Sequence, residues 1–235
     1  MPLNRALSKL GILSRARATE AIRAGRVRVD GRIVRDPARL VVPERARIVL
    51  DGERRIKAAW RTILFHKPRG VVTTRHDPEG RRTVFDEIGD AAEGLNAVGR
   101  LDLATSGLLM LTTDTQLASW ITDPANAVPR VYAVVVRGDV SGETLAQLGS
   151  DVALRKRSRR ESHLVVTLRE GKNRQVRRMF EESGHEVTRL KRVALGGLDL
   201  LGLEPGQWRD VTRDEIRAAF PTVRDRRRSR GPAGS

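Results

Sequence analysis

The chain has 235 residues, 39% of them hydrophobic and 31% charged, a balance that supports a packed core and excludes global disorder. It contains no cysteine, which excludes disulfides, a thiolate nucleophile and cysteine-ligated zinc or iron–sulfur sites. Lysine and arginine number 45 against 29 acids, for a net charge of +16. Residues 1–50 hold 12 basic and 4 acidic groups, and residues 221–235 hold 5 and 1, so a basic head and tail flank a milder centre. That distribution points to a polyanion partner, most simply nucleic acid; the plainer alternative is a generally basic protein with solvated charge. No stretch has the length and apolarity of a membrane span, and residues 1–15 lack the apolar centre of a signal peptide, so a cytoplasmic protein with no membrane partner is expected. The four histidines, 66, 76, 163 and 185, lie far apart and give no support to a metal site.

Leu3, Ala6, Leu7 and Leu10 recur at helical spacing, with Gly11 as a stop. Ser14 suits the N-cap of a second helix carrying the stripe Ala18, Ala21 and Ile22, ending at Gly25. In "RVRVDGRIV" the valines alternate with arginines and Asp30-Gly31 is a hairpin turn; a further strand follows in "ARIVLDG". Arginines 15, 17, 26 and 28 flank the apolar positions of the second helix and hairpin, where a phosphate backbone could lie. This order of residues resembles the small RNA-binding domain named after the fourth small-subunit ribosomal protein, with Asn4 and Arg5 where such domains more often open Arg-Leu.

Residues 53–60 read as a charged linker. After it, "TILFHKPRGVVTT" reads as strand, turn and strand, and "GLNAVGRL" and "SGLLMLTT" as strands on either side of Asp102. "DTQLASWITDP" is a short helix, "VYAVVVRGD" a strand, "SGETLAQLGS" a helix capped by Ser141, and "SHLVVTLREG" a strand. "KNRQVRRMFEESG" is a helix with Val176, Met179 and Phe180 inward, and short strands follow in "VTRLKRVALGGLDL" and "QWRDVT". Strands dominate without regular βαβ alternation, so the fold class expected is α+β: a helix-helix-hairpin domain over 1–52, then a mixed, largely antiparallel sheet over 61–220. Residues 221–235 read as a basic disordered tail.

In "GRLDLATSGLLMLTTD" a carboxylate, Asp102, stands among Arg100, Thr105 and Ser106 at the mouth of an apolar strand. An isolated aspartate there is most simply a turn residue. A carboxylate kept ionised by a buried arginine in a dry pocket is instead a competent nucleophile. The segment resembles the signature of pseudouridine synthases, in the branch that contains RsuA, RluB, RluE and RluF. "FHKPRGVVTT", "PRVYAVVV" and "EGKNRQVRRMFEESGHEVTRLKRVALGGL" resemble the family's other motifs in order, with His66 where asparagine and Arg130 where lysine is commoner.

The resemblance implies Asp102 as nucleophile, Tyr132 as the aromatic that packs on the base and helps remove its C5 proton, Arg177 as the partner of Asp102, and Leu190 as a wall of the uracil pocket. Singly, Arg177 could be a solvated helix arginine, Leu190 core and Tyr132 strand packing. The reaction breaks a carbon–nitrogen glycosidic bond and rejoins uracil through carbon five, so neither cofactor nor metal is demanded, and the absence of a second acid suits a site that excludes water. The target uridine must be flipped out of its stack. With aromatics at only 3%, recognition is expected to rest on RNA shape and phosphate, through the head and through Lys67, Arg100, Lys172, Arg174, Arg178 and Lys191. The implied partner is ribosomal RNA or a pre-ribosomal particle, with a lean to the large subunit from "EGKNRQVRR", and the chain is expected to be a monomer. The rivals are a non-catalytic RNA-binding or ribosome-assembly factor on the same fold, and an aspartate-nucleophile phosphatase or glycosidase.

Overall fold

The computed structural model describes residues 1–10, 12–13, 15–43, 45–54 and 59–221. The chain divides into two compact units: Met1–Arg61 with the short stretches Glu93–Asn96 and Thr112–Thr115, and the remainder.

The head is built from α1 (Leu3–Lys9), α2 (Arg15–Arg23), β1 (Val27–Val29), β2 (Arg32–Ile33), β3 (Ile48–Leu50) and β4 (Glu53–Arg54). The strands form one sheet in the order β2-β1-β3-β4, every pair antiparallel. Asp30 and Gly31 turn the first hairpin at φ 50° and 82°, the left-handed pair that a two-residue loop needs to match strand twist. Leu3, Ala6 and Leu7 of α1 and Ala18, Ala21 and Ile22 of α2 are buried against Val27, Val29, Ile48 and Leu50, so the helical stripes and the strand alternation close one small core. Asn4, at the unusual opening, donates through Nδ2 to Thr19 Oγ1 at 3.2 Å and ties the helices together. β4 falls inside the stretch expected to be linker: Glu53 and Arg54 pair with Leu50 and Val49, because the Asp51-Gly52 turn (φ 54° and 83°) folds the chain back. The Gly11 stop, the Ser14 cap, residues 55–58 of the linker and the tail from 222 onward lie outside the described residues.

From residue 62 the elements are β5 (Thr62–Lys67), α3 (Val84–Ile88), β6 (Asn96–Ala97), β7 (Ser106–Thr112), α4 (Thr115–Thr122), β8 (Arg130–Arg137), α5 (Gly142–Leu148), β9 (Val152–Arg157), β10 (Glu161–Leu168), α6 (Gln175–Glu182), β11 (Val187–Leu195), β12 (Leu198–Asp199), β13 (Trp208–Asp210) and α7 (Arg213–Ala219). One sheet runs β13-β5-β7-β11-β8-β10-β9, with β12 on β11 and β6 on β7. β7 and β11 pair in parallel, while β11–β8, β8–β10, β10–β9 and β13–β5 are antiparallel, which gives the mixed, largely antiparallel α+β sheet. Val134, Val136, Leu164, Val166 and Leu190 on one face pack under Val176 and Phe180 of α6. The Ser141 hydroxyl caps α5 by accepting from the Thr144 amide at 3.1 Å. The strand expected at "VVTT" reduces to a single bridge, Val72 with Thr83. Two short helices, α3 and α7, add to the elements expected from the sequence, and each opens with a capping box, Thr83 with Asp86 and Thr212 with Glu215. Among the described residues no helix is long and apolar enough to cross a membrane.

Candidate active site

Asp102 lies in the loop that feeds β7, between Leu101, 5% exposed, and the buried hydroxyl residue Thr105. The loop is held from three sides. Thr73 Oγ1 donates to the Leu101 carbonyl at 2.9 Å, and the Leu101 amide points back at that hydroxyl at 3.3 Å. The Gly70 amide donates to the Leu103 carbonyl at 2.9 Å. From below, Lys67 at the end of β5, 0% exposed, donates through Nζ to the carbonyls of Pro68 (2.9 Å), Asp102 (3.3 Å) and Thr105 (2.9 Å). An ammonium has three donors and no acceptor, so these three carbonyls satisfy it completely. Burial pulls the Lys67 pKa down to about 8, and the Asp102 charge opposes that shift.

The second cation is Arg177. The stripe of α6 turns Val176, Arg177 and Phe180 inward together, and Arg177 is 8% exposed, so it is no solvated helix arginine. Its Nη1 donates to the Val187 carbonyl at 2.9 Å and its Nη2 to the Ala104 carbonyl at 3.2 Å, while Nε is buried with no partner. Burial and then Arg174 lower its pKa, and Asp102 raises it. Two sequence expectations are corrected here. Arg177 does not hold the Asp102 carboxylate in a direct ion pair; its fork grips the backbone two residues on and acts on Asp102 through its field. The Asp102 residue is exposed, not dry: its backbone is fixed by buried cations while its side chain is left open.

Tyr132 is half-buried on β8, opposite Val166 of β10 and Arg192 of β11. Leu190, 5% exposed, lies in the same apolar cluster, against which Tyr132 packs. Arg192 joins the site without having been expected from the sequence. It is 3% exposed, donates through Nε to the Leu108 carbonyl at 2.7 Å, and has a buried Nη2 with no partner. Burial lowers its pKa, and the neighbouring Tyr132 draws it back up. A signal for it does exist: an arginine at a register position between apolar residues in "LKRVAL". Gly107 makes this approach possible. It pairs with Arg192 at φ +111°, and a Cβ there would stand 2.2 Å from the Arg192 carbonyl oxygen. Gly107→Ala is therefore expected to cost about 3 kcal/mol or more of stability in denaturant titration, since rigid backbone occupies the space; a loss below about 1 kcal/mol would show that the two strands can part at little cost.

The residues expected to touch RNA fall into distinct environments. Lys67 is corrected: it is buried beneath the loop and unavailable to phosphate. Arg26 is engaged by Asp51 through Nε at 2.7 Å. Arg15, Arg17 and Arg28 are exposed on the head, and Arg28 and Arg47 line a groove with Asp30, Gly31 and Val49. Arg100 and Arg178 are exposed and Lys191 is half-buried, whereas Lys172 pairs with Glu170 at 3.0 Å and Arg174 with Glu181 at 3.6 Å. Among the described residues no group of histidines and acids could hold a metal ion.

An exposed carboxylate on a loop fixed by buried cations, in a mixed sheet that also carries a tyrosine beside a buried arginine, is an arrangement that suits nucleophilic chemistry by a carboxylate. Residues 61–182 match the family model described as RNA pseudouridylate synthase, and residues 1–45 match that of the S4 domain. An "Uncharacterized RNA pseudouridine synthase" of Aquifex aeolicus is 35% identical, with 94% of each chain covered. "Ribosomal large subunit pseudouridine synthase B" of Bacillus subtilis is 33% identical over 92% of this chain and 93% of its own. A crystal structure of pseudouridylate synthase superposes with a TM-score of 0.64 at 27% identity, covering 92% of this chain and 98% of that one. The chain belongs to the RNA pseudouridylate synthase family.

Proposed function

We propose that this chain isomerises uridine to pseudouridine in large-subunit ribosomal RNA, in the cytoplasm, with Asp102 as nucleophile. The observation that carries the reading is the Asp102 loop itself, whose backbone Lys67, Thr73 and Arg177 fix while the carboxylate stays open to solvent. A flipped-out uridine needs such an opening, and its arrival is what displaces water from the carboxylate. Asp102 attacks the electron-poor anomeric carbon as the glycosidic bond breaks and is displaced when the new bond forms, or its carboxylate takes the ribose C2′ proton as that bond breaks and returns it afterwards. The uracil then turns against Tyr132 and Leu190 and rejoins through carbon five, and Tyr132 helps to take the C5 proton. The lean to the large subunit is supported by the name of the Bacillus subtilis relative. A non-catalytic RNA binder explains the basic head equally well, but it gives no reason to spend two buried cations on one aspartate loop.

The test is release of tritium from RNA labelled at uracil C5, on large- and small-subunit transcripts in parallel. Release from the large-subunit RNA alone is expected; release from neither leaves the non-catalytic reading, and release from the small-subunit RNA moves the target.

The head makes a separate prediction. Deleting residues 1–52, which carry 12 of the basic groups, should weaken RNA binding and flatten its salt dependence by about 0.7–0.9 in log–log slope for each phosphate left unneutralised. An unchanged slope would show that the head does not touch phosphate.

A further inference from the structure

The hairpin joining β9 and β10 carries "RKRSRR" at residues 155–160, five cations in six positions. All six residues are exposed, and among the described residues none of the five cations has an acid at ion-pair distance. The nearby acid, Glu161, is taken by His163 at 2.8 Å.

The turn is built to hold this charge in place. Ser158 donates through its amide and its hydroxyl to the Glu161 carbonyl, at 2.8 and 3.0 Å, and its Oγ accepts from the amides of Arg160 and Glu161. A register shift leaves Arg155 without a strand partner between Leu154, opposite Leu164, and Lys156, opposite His163. Such a bulge re-aims the side chains around it.

The charge also continues across the sheet. Lys156 is opposite His163, His163 opposite Val135, and Val135 opposite Arg189; Lys191 is opposite Ala133 one row on. Residues directly opposite on antiparallel strands share a face. Val134, Leu164 and Leu190 occupy the other face, under α6. The cations therefore form a track from the hairpin tip along the face opposite α6 to β11, where Arg189 is exposed and Lys191 half-buried, with strands about 4.8 Å apart.

We propose that the β9–β10 hairpin and this track are a second RNA-binding surface, separate from the head, that grips the phosphate backbone of the substrate RNA. The proposal rests on the reading above only for the class of polyanion. Charge on an edge strand also deters pairing with other chains, but one lysine or a bulge serves that end. Five cations in six residues around a pinned turn exceed it. The absence of aromatic side chains from the tip assigns it to phosphate, not to base stacking.

The test compares two doubly neutralised full-length proteins by salt titration of RNA binding. Arg157→Gln with Arg159→Gln removes two charges from the tip. Arg209→Gln with Arg217→Gln removes two charges that Glu215 and Asp214 already pair. The tip variant is expected to show a log–log slope about 1.5 shallower and a Kd about tenfold weaker at 0.15 M salt, with the control close to wild type. Arg157→Lys with Arg159→Lys should retain the wild-type slope, because phosphate binding needs charge more than shape. An unchanged slope in the tip variant, or an equal fall in the control, overturns the proposal. The slope is read from binding, so it decides the matter whether or not the same RNA is isomerised.

Discussion

Asp102→Asn is expected to lower the rate of pseudouridine formation by at least about 10⁴-fold, equivalent to about 5.5 kcal/mol of barrier, with RNA affinity within about twofold of wild type. The amide keeps the shape of the side chain and removes its charge and its nucleophilic oxygen. Lys67, Thr73 and Arg177 hold the loop through backbone carbonyls and an amide, not through the Asp102 carboxylate, so the substitution leaves that scaffold intact. A loss of rate with unchanged thermal stability is thus the expected pattern. If the variant retained even a tenth of the wild-type rate, the carboxylate could not be the attacking group.

Lys67→Met is expected to reduce the rate about 100-fold and to lower stability by about 2–4 kcal/mol, because methionine fills the space but takes the ammonium from the Pro68 and Thr105 carbonyls and leaves the Asp102 carbonyl to the Thr105 amide alone. The same lysine gives a pH signature. With its pKa near 8 in the fold and 10.5 as the ordinary value, the folded protein sheds this proton first as pH rises. Activity should fall through pH 8 as the field on Asp102 weakens. Between pH 8 and 10.5 the unfolded chain holds the extra proton, so the contribution of Lys67 to stability improves with pH over that window. Declining activity alongside an improving contribution to stability separates the titration from unfolding. Lys67→Met should lack the limb near pH 8; a wild-type profile flat from pH 7 to 9 would show that Lys67 does not set the field at Asp102.

Much of the framework was legible where short-range rules decide it. Asp30-Gly31 had to turn a hairpin, Ser141 to cap a helix, and Val176, Met179 and Phe180 to face inward. The interior of the site was not legible, because long-range backbone decides it. Lys67 reads as an RNA-binding lysine until the carbonyls of Asp102 and Thr105, some 35 residues on, are brought over it. Arg177 and Arg192 are buried because Val187, Ala104 and Leu108 present carbonyls to them, and no local pattern announces such acceptors. For the same reason the expected Asp102–Arg177 ion pair was too simple: the guanidinium is spent on backbone. The exposure of Asp102 is set by long-range contacts that hold its loop at Leu101, Leu103 and Ala104, and not by residue type.

The structure of the protein bound to an RNA with 5-fluorouridine at its target, where loss of the C5 proton is blocked, tests the reading most directly. A carboxylate oxygen of Asp102 should lie at or within bonding reach of the sugar's anomeric carbon, with the Tyr132 ring against the base and Lys67 still under the loop. A target nucleotide bound elsewhere, with Asp102 still facing solvent, would contradict the account.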